Sequence, residues 1–471
     1  MAVLTSVQVG AAPLERFRPL LGEGYGEVEE AIARVDEILG SRVVWHVNST
    51  AQGGGVAEML QSLLAYARGA GADVRWEVIS GDAGFFRITK RVHNNLHGAA
   101  GDGGGLGEPQ RSAYERTLEA NAAELVELVR PGDVVYLHDP QTAGLIPALR
   151  SVPAKVVWRC HVGLDTPNEL AHRAWDFLLP YVDQADAYVF SRRGFVWKGL
   201  DEERLWVVPP SIDAFSAKNQ DLDRTAVDAI LGGIGVQDSP DRGRPVFVRE
   251  DGTPGRVDRS ADCVQEGPIP RAAPLVAQVS RWDRLKDPVG VLRGFAAARF
   301  GRDPHLLLAG PAVSGVSDDP EGAEVLEETI AARAALGPEL RARVHLASLP
   351  MADREENAAM VNAIQRRADV VVQKSLAEGF GLTVAEAMWK GRPVVASRIG
   401  GIQDQIADGE TGLLLDDPLD LDEFGAAVAL LIDDPERAGE MGRKGRERVR
   451  ERYLATRPLT DYLRLLAGLL G

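Results

Sequence analysis

Twice along the chain, from Ser41 to Val208 and from Leu275 to Leu415, short β-branched runs alternate with amphipathic stretches. That rhythm is the signature of βαβ units, in which parallel strands are joined by crossover helices. In the first series the strands are expected at 42–47 (RVVWHV), 74–79, 133–138, 155–159 and 186–190, up to Val207, Val208 and the Pro209–Pro210 pair. Helical spacing covers 56–68, and Leu118, Ala122, Leu125, Val126 and Val129 recur at helical intervals before Pro131 and Gly132 break the helix. The second series places strands at 275–280 (LVAQVS), 305–309, 344–346, 369–373, 393–396 and 413–415. Between the two, 232–274 is rich in Gly, Pro, Asp and Arg, with one strand candidate at 245–249, and reads as a linker with an inserted hairpin. Two doubly wound α/β domains are therefore expected, 1–212 and 213–454, with their strand ends facing a central cleft.

Composition narrows the class. With 53 Lys and Arg against 69 Asp and Glu, the net charge is −16, which argues against a polyanion such as nucleic acid as the main partner. Cys160 and Cys263 are the only cysteines and lack metal-ligand spacing, so neither a disulfide framework nor a zinc site is expected. The first basic residue is Arg16, and Pro13 and Glu15 interrupt the opening stretch, which does not suit a secretory signal. No uninterrupted apolar run approaches the ~18 residues of a membrane span. A cytoplasmic location is the expectation. No repeat of solenoid or propeller type is found.

Three loops carry chemistry. After the first strand comes Asn48-Ser49-Thr50-Ala51-Gln52-Gly53-Gly54-Gly55, followed by a helix. Its glycines allow close approach of a ligand to the backbone, and the helix start offers free N–H groups to an anion; a plain flexible turn is the competing reading. After the first strand of the second domain, Arg281, Arg284 and Lys286 precede a helix that Pro288 can begin. A forked Arg with a point-charge Lys suits a leaving diphosphate, whereas Asp283 and Asp287 are also placed to pair with these cations in a solvated loop. The third loop is the most specific: Glu378-Gly379-Phe380-Gly381-Leu382-Thr383 leads into a helix bearing Glu386. Both carboxylates can face one cavity, and the loop and helix start can donate N–H groups to sugar hydroxyls or phosphate.

The string EGFGLxxxEA after a strand, SRxxxxK upstream of it and a glycine loop after the first strand together resemble the retaining glycosyltransferases of family 4, which have the GT-B fold of two Rossmann-like domains. Within that family the chain is most similar to the trehalose-forming branch, the glycosyltransferring synthases and the related phosphorylases. The strings that carry this likeness are HVNST with GGGVAEML, HDPQ at 138–141, WRCH at 158–161, PSID at 210–213 with Lys218-Asn219, and VQKS before EGFGLTVAEAMWKG. The resemblance implies that Arg281 and Lys286 hold the diphosphate, that Glu386 binds the ribose and that Glu378 binds the donor hexose. It implies that Gly379, Phe380, Gly381, Leu382 and Thr383 form the donor loop, with Gly54 and Gly55 closing over the pyrophosphate. His161 matches the family histidine near the reacting carbon, and a final helix at about 455–471 is expected to return to the first domain. Asn48, Asp139, Gln141 and Arg159, at strand exits of the first domain, are weaker candidates for binding the acceptor.

The expected reaction is transfer from an ADP-, UDP- or GDP-glucose to free glucose, giving α,α-trehalose, with reversal left open. Retention by double displacement needs a carboxylate nucleophile, and Glu378 is the nearest nominee; front-face departure of the diphosphate is favoured because the family assigns Glu378 to hydroxyl binding. No DxD follows a strand, and the pairs Asp318-Asp319 and Asp416-Asp417 read as turn residues. No metal is expected to be required, with Mg²⁺ at most stimulatory through the diphosphate. The partners are thus a nucleotide-sugar donor and a small sugar acceptor, with a homodimer left open. Trehalose phosphorolysis, another small acceptor within the family and a non-catalytic sugar sensor are the alternatives, while a dehydrogenase is disfavoured by the lack of GxGxxG.

Overall fold

The computed structural model describes residues 3–51, 55–239, 244–313 and 320–471. They divide into two units, one running up to Ser211 and joined by Tyr453–Gly471, the other being Ile212–Arg452.

The first unit is built on seven strands, β1 (Thr5–Val7), β2 (Val44–Asn48), β3 (Val74–Val78), β4 (Val134–His138), β5 (Lys155–Cys160), β6 (Ala187–Phe190) and β7 (Leu205–Val207), in the order β1-β3-β2-β4-β5-β6-β7. All neighbours are parallel except β1, which pairs antiparallel with β3. β2 and β4 are buried along their whole length, because a parallel sheet has helices on both faces. The side chains of successive residues alternate between two cores. Val135, Leu137 and Trp158 join Leu118, Leu125, Phe177 and Leu178 on one face. On the other, Val134, Tyr136 and Val157 meet Leu60, Leu64, Tyr462, Leu465 and Leu466. The last three belong to the helix Thr456–Leu470, which packs within this unit after the chain has left the second.

The second unit holds a hairpin, β8 (Val246–Val248) and β9 (Pro254–Arg256), and a sheet of β10 (Asp262–Val264), β11 (Leu275–Val279), β12 (His305–Pro311), β13 (Val344–Leu349), β14 (Val370–Gln373), β15 (Val394–Ser397) and β16 (Leu413–Leu415). Its order is β10-β13-β12-β11-β14-β15-β16, with β10 antiparallel to β13 and the rest parallel. The hairpin falls where the sequence places it. The sheet, however, starts a strand before Leu275, since β10 lies inside the stretch read as linker. β1 and β10 are three-residue edge strands whose places are set by backbone pairing, which leaves no periodicity to read. Among the described residues no helix is long and apolar enough to cross a membrane.

Leu465 has no exposed surface and fills the core between the final helix and the sheet of its unit. Leu465→Ala should lower the stability of this unit by about 2–5 kcal/mol, read as an earlier urea midpoint in its Trp fluorescence.

Candidate active site

β11 ends at Val279, and the chain turns through Ser280 to a short helical turn, Arg284–Lys286, capped by the Asp283 carboxylate, which accepts from Leu285 N at 2.8 Å. Asp283 also takes Arg281, whose Nη2 lies 2.8 Å from Oδ2 while the side chain stays 61% exposed. Asp287 behaves differently. It holds a left-handed φ of +47°, caps the helix Pro288–Ala297 by accepting from Gly290 N at 2.9 Å, and forms an ion pair with Lys374. Lys374 has no exposed side-chain surface, and its Nζ also donates to Pro418 O at 2.5 Å. Of the two aspartates expected to pair within the charged loop, then, Asp283 does so and Asp287 pairs with a lysine from the end of β14.

Lys286 is paired with Glu378, both side chains being largely buried. One backbone and one side-chain tie set this meeting: Leu376 N donates to Leu285 O at 2.7 Å, and the Gln278 side-chain Nε2 donates to Lys286 O at 2.8 Å. The loop after Glu378 is braced by a segment that the motif reading did not include, 397–405. Gly401 N donates to Gly379 O at 2.8 Å, and Gln405 Nε2 donates to Phe380 O at 2.6 Å. Gly400 (φ +48°) permits this approach, for a Cβ there would lie 2.0 Å from Glu378 O. Its only signal in sequence is a Gly-Gly pair after a strand.

Gly381 (φ +81°) precedes the helix Leu382–Trp389 without any side-chain cap, so Leu382 and Thr383 sit at an uncapped N-terminus. Glu386 lies in this helix at 2% exposure, with Oε1 3.5 Å from Lys218 Nζ and a buried Oε2 that has no hydrogen-bond partner. The helix is fastened to Asn219, which accepts from Trp389 Nε1 through its carbonyl and from Lys390 Nζ through Oδ1 at 2.9 Å. An unpaired buried carboxylate oxygen costs stability, and such sites are where ligands supply the missing donor.

In the first unit β4 leads into Asp139, held at φ +64°, a conformation Asp and Asn tolerate better than other side chains. The turn is pinned by Trp158 Nε1 on Asp139 O at 3.2 Å and by Tyr114 Oη on Pro140 O at 2.7 Å. Asp139 Oδ1 accepts from His161 N at 2.8 Å, so this carboxylate and His161 are brought together. Gln141 is half-buried in the short helix Asp139–Thr142. Arg159 is enclosed at 1% exposure, donating to Val208 O at 3.0 Å and to His161 and lying over the Tyr462 ring. Asn48 is committed at both ends, donating to Thr50 O at 2.7 Å and accepting from Trp76 Nε1 at 2.8 Å. Arg159 and Asn48 are thus both tied into the fold, and the buried Nη1 of Arg159 has no hydrogen-bond partner. Gly55 is the exposed first residue of the helix Gly55–Gly69, while Gly54 and the pair Asp318-Asp319 lie outside the described residues. Among the described residues no group of three or more His, Cys, Asp or Glu is arranged to hold a metal.

Two α/β units, each built on a largely parallel seven-stranded sheet, have the fold of the GT-B glycosyltransferases. The chain superposes on a UDP-forming α,α-trehalose-phosphate synthase from Burkholderia xenovorans with a TM-score of 0.66 and 14% identity, over 92% of this chain and 100% of that one. Residues 46–197 match the trehalose synthase N-terminal domain, and 264–448 match glycosyl transferases group 1. The trehalose synthase of Rubrobacter xylanophilus is 38% identical over 478 residues, covering 100% of both chains. The chain belongs to the trehalose synthase family and is a glycosyltransferase of trehalose metabolism. A trehalose phosphorylase from Pleurotus sajor-caju stands further off, 30% identical over 85% of this chain and 54% of its own.

Loss of water around the Asp139 carboxyl raises its pKa from 3.8 to about 7, against the pull of the His161 N–H and Arg159. The folded state thus favours the protonated acid, and the stability this gives is present below the unfolded value and lost as pH rises through about 7. Asp139→Asn keeps an acceptor for His161 N and tolerates the left-handed φ. Its urea midpoint should fall less than that of the wild type between about pH 4 and 7.5; parallel curves would reject the shift.

Proposed function

We propose that the protein transfers glucose from a nucleoside diphosphate glucose to free glucose, with retention, forming α,α-trehalose. The observation that carries the reading is the buried Lys286–Glu378 pair beside the uncapped start of the helix Leu382–Trp389. Lys286 and the exposed Arg281 would take the diphosphate, and the N–H groups of Leu382 and Thr383 would add to its neutralisation. Glu386, with one buried oxygen unpaired, suits ribose hydroxyls, which donate hydrogen bonds to it. Glu378 is engaged by Lys286, which favours a hydroxyl-binding role over that of a nucleophile and so favours front-face departure. In that step the anomeric C–O bond to the diphosphate breaks, the acceptor oxygen bonds the same face, and its proton passes to the departing phosphate oxygen. Arg281 and Lys286 stabilise the charge that develops there. Two cations serve this purpose without a resident metal, and Mg²⁺ carried by the diphosphate would at most stimulate.

Free glucose is the proposed acceptor. The polar groups of the first unit, Asp139, Gln141 and His161, suit hydroxyls, and Arg159, the cation among them, is enclosed and has no exposed face for a phosphate ester. Similarity over the full length of a trehalose synthase supports synthesis over phosphorolysis.

Incubation with ADP-, UDP- and GDP-glucose and glucose should yield a non-reducing disaccharide with two α-anomeric protons by NMR. Product formed only from trehalose and inorganic phosphate, or faster transfer to glucose 6-phosphate, would reject the reading. Arg281→Ala and Lys286→Ala should each lower turnover by about 10²-fold or more with the fold intact, whereas Glu386→Ala should act mainly on the donor KM. Activity near wild type in both cation variants would overturn the diphosphate assignment.

A further inference from the structure

Three imidazoles form a hydrogen-bonded chain on one face of the first unit's sheet. His46 Nδ1 lies 3.1 Å from His138 Nε2, and His138 Nδ1 lies 3.1 Å from His161 Nε2. The rings stack, with centroids 5.3 and 5.4 Å apart. Sheet register produces the alignment: His46 lies opposite Tyr136 and His138 opposite Arg159, so residues 46, 136, 138 and 159 share one face. His46 and His138 are buried at 4% and 1% exposure, and His161, at 8%, stands just past the end of β5.

Each of the two N···N contacts holds one hydrogen, and a neutral imidazole carries one N–H. When His138 donates from Nδ1 to His161, its Nε2 must accept from His46. When it donates from Nε2 to His46, its Nδ1 must accept from His161. The tautomer of one ring thus dictates the next, and two patterns satisfy both contacts: every ring carries Nδ1–H, or every ring carries Nε2–H. Arg159 closes the outer end with its donor-only Nε, 3.2 Å from His161 Nε2 and 3.4 Å from Nδ1. The other titratable groups facing the chain are Asp139, bonded to His161 N, Tyr136 stacked on His46, and Tyr462 of the final helix. Burial and the Arg159 charge oppose protonation, holding His46 down at about 3 and His138 and His161 well below the ordinary range.

We propose that His138 and His46 are positioning residues for His161: the chain couples the three rings into one tautomeric unit and thereby sets whether His161 presents a donor or a lone pair at Nδ1, the nitrogen outside the chain. The functional part rests on His161 meeting a sugar, as in the proposed reaction; the coupling itself does not. Neither inner ring needs to touch substrate for its loss to be felt, because the chain transmits its tautomer.

Long-range ¹H–¹⁵N correlation on ¹⁵N-histidine-labelled protein at about pH 6, with signals assigned through single substitutions, tests the coupling. Three uncharged rings with one common tautomer are expected. A charged ring among them, or mixed tautomers, would overturn the proposal, and this needs only the wild-type spectrum once assigned. His138→Gln places an amide near the Nε2 position and breaks the link to His161, whereas His138→Asn places one near Nδ1 and keeps it. The Gln variant should shift the His161 nitrogens and lower kcat about 10-fold with a donor KM within about twofold, and the Asn variant should recover most of both. Unchanged His161 signals in His138→Gln, or full kcat there while His161→Ala is impaired, would refute the positioning role. Full turnover in His161→Ala would instead remove the sugar contact, and the positioning role with it, leaving the coupling to the spectrum alone.

Discussion

An ammonium group with no exposed surface anchors the second unit's site. Lys374 directly follows β14 inside the fold, and a buried cation is tolerated only when an anion and further acceptors surround it. Asp287 supplies the anion and Pro418 O a further acceptor. The same Asp287 caps the helix Pro288–Ala297 and adopts a left-handed turn, so satisfying one charge also determines where the preceding residue, Lys286, is delivered. Lys286 then meets Glu378, four residues beyond Lys374 on the neighbouring strand exit. Strand exit, helix start and glycine loop are thereby fixed together, and a rigid set of donors is what charge developing on a leaving group requires.

The first unit follows a different rule. There the site grows from the period-two alternation of a parallel sheet, which gives each face its own apolar core and sets a row of polar side chains, His46, His138 and Arg159, on one of them. Arg159 sits within that row and donates to Val208 O and His161, while its buried Nη1 has no hydrogen-bond partner. It is enclosed there, and its positive charge adds to burial, the larger effect, in keeping the neighbouring His161 imidazole uncharged. The strained Asp139 belongs to the same device, since its carboxylate accepts from the backbone of His161.

The βαβ rhythm, the hairpin between the two series and the chemistry of EGFGLTVAE were legible in sequence because each rests on local patterns: hydrophobic periodicity, Gly and Pro punctuation, and carboxylates at a fixed spacing along one loop and helix. So were Lys286 and Glu378 as candidates, each by its residue type at a strand exit. The edge strands β1 and β10 were not legible, being too short to show a period.

What the tertiary structure alone decided is which of these residues meet. Lys286 and Glu378 are 92 positions apart, Lys374 and Asp287 are 87 apart, and His46 lies 92 residues from the ring it bonds. No local pattern encodes such pairings; they follow from strand order, since neighbours in the sheet are not neighbours in the chain. Burial, likewise, is a property of the packed sheet. It encloses Arg159 and Asn48 among bonds within the fold and makes His46 and His138, which no sequence motif singled out for a role, parts of one chain. Residue type and spacing determined what chemistry the chain could perform, and packing determined which polar groups remain available to perform it.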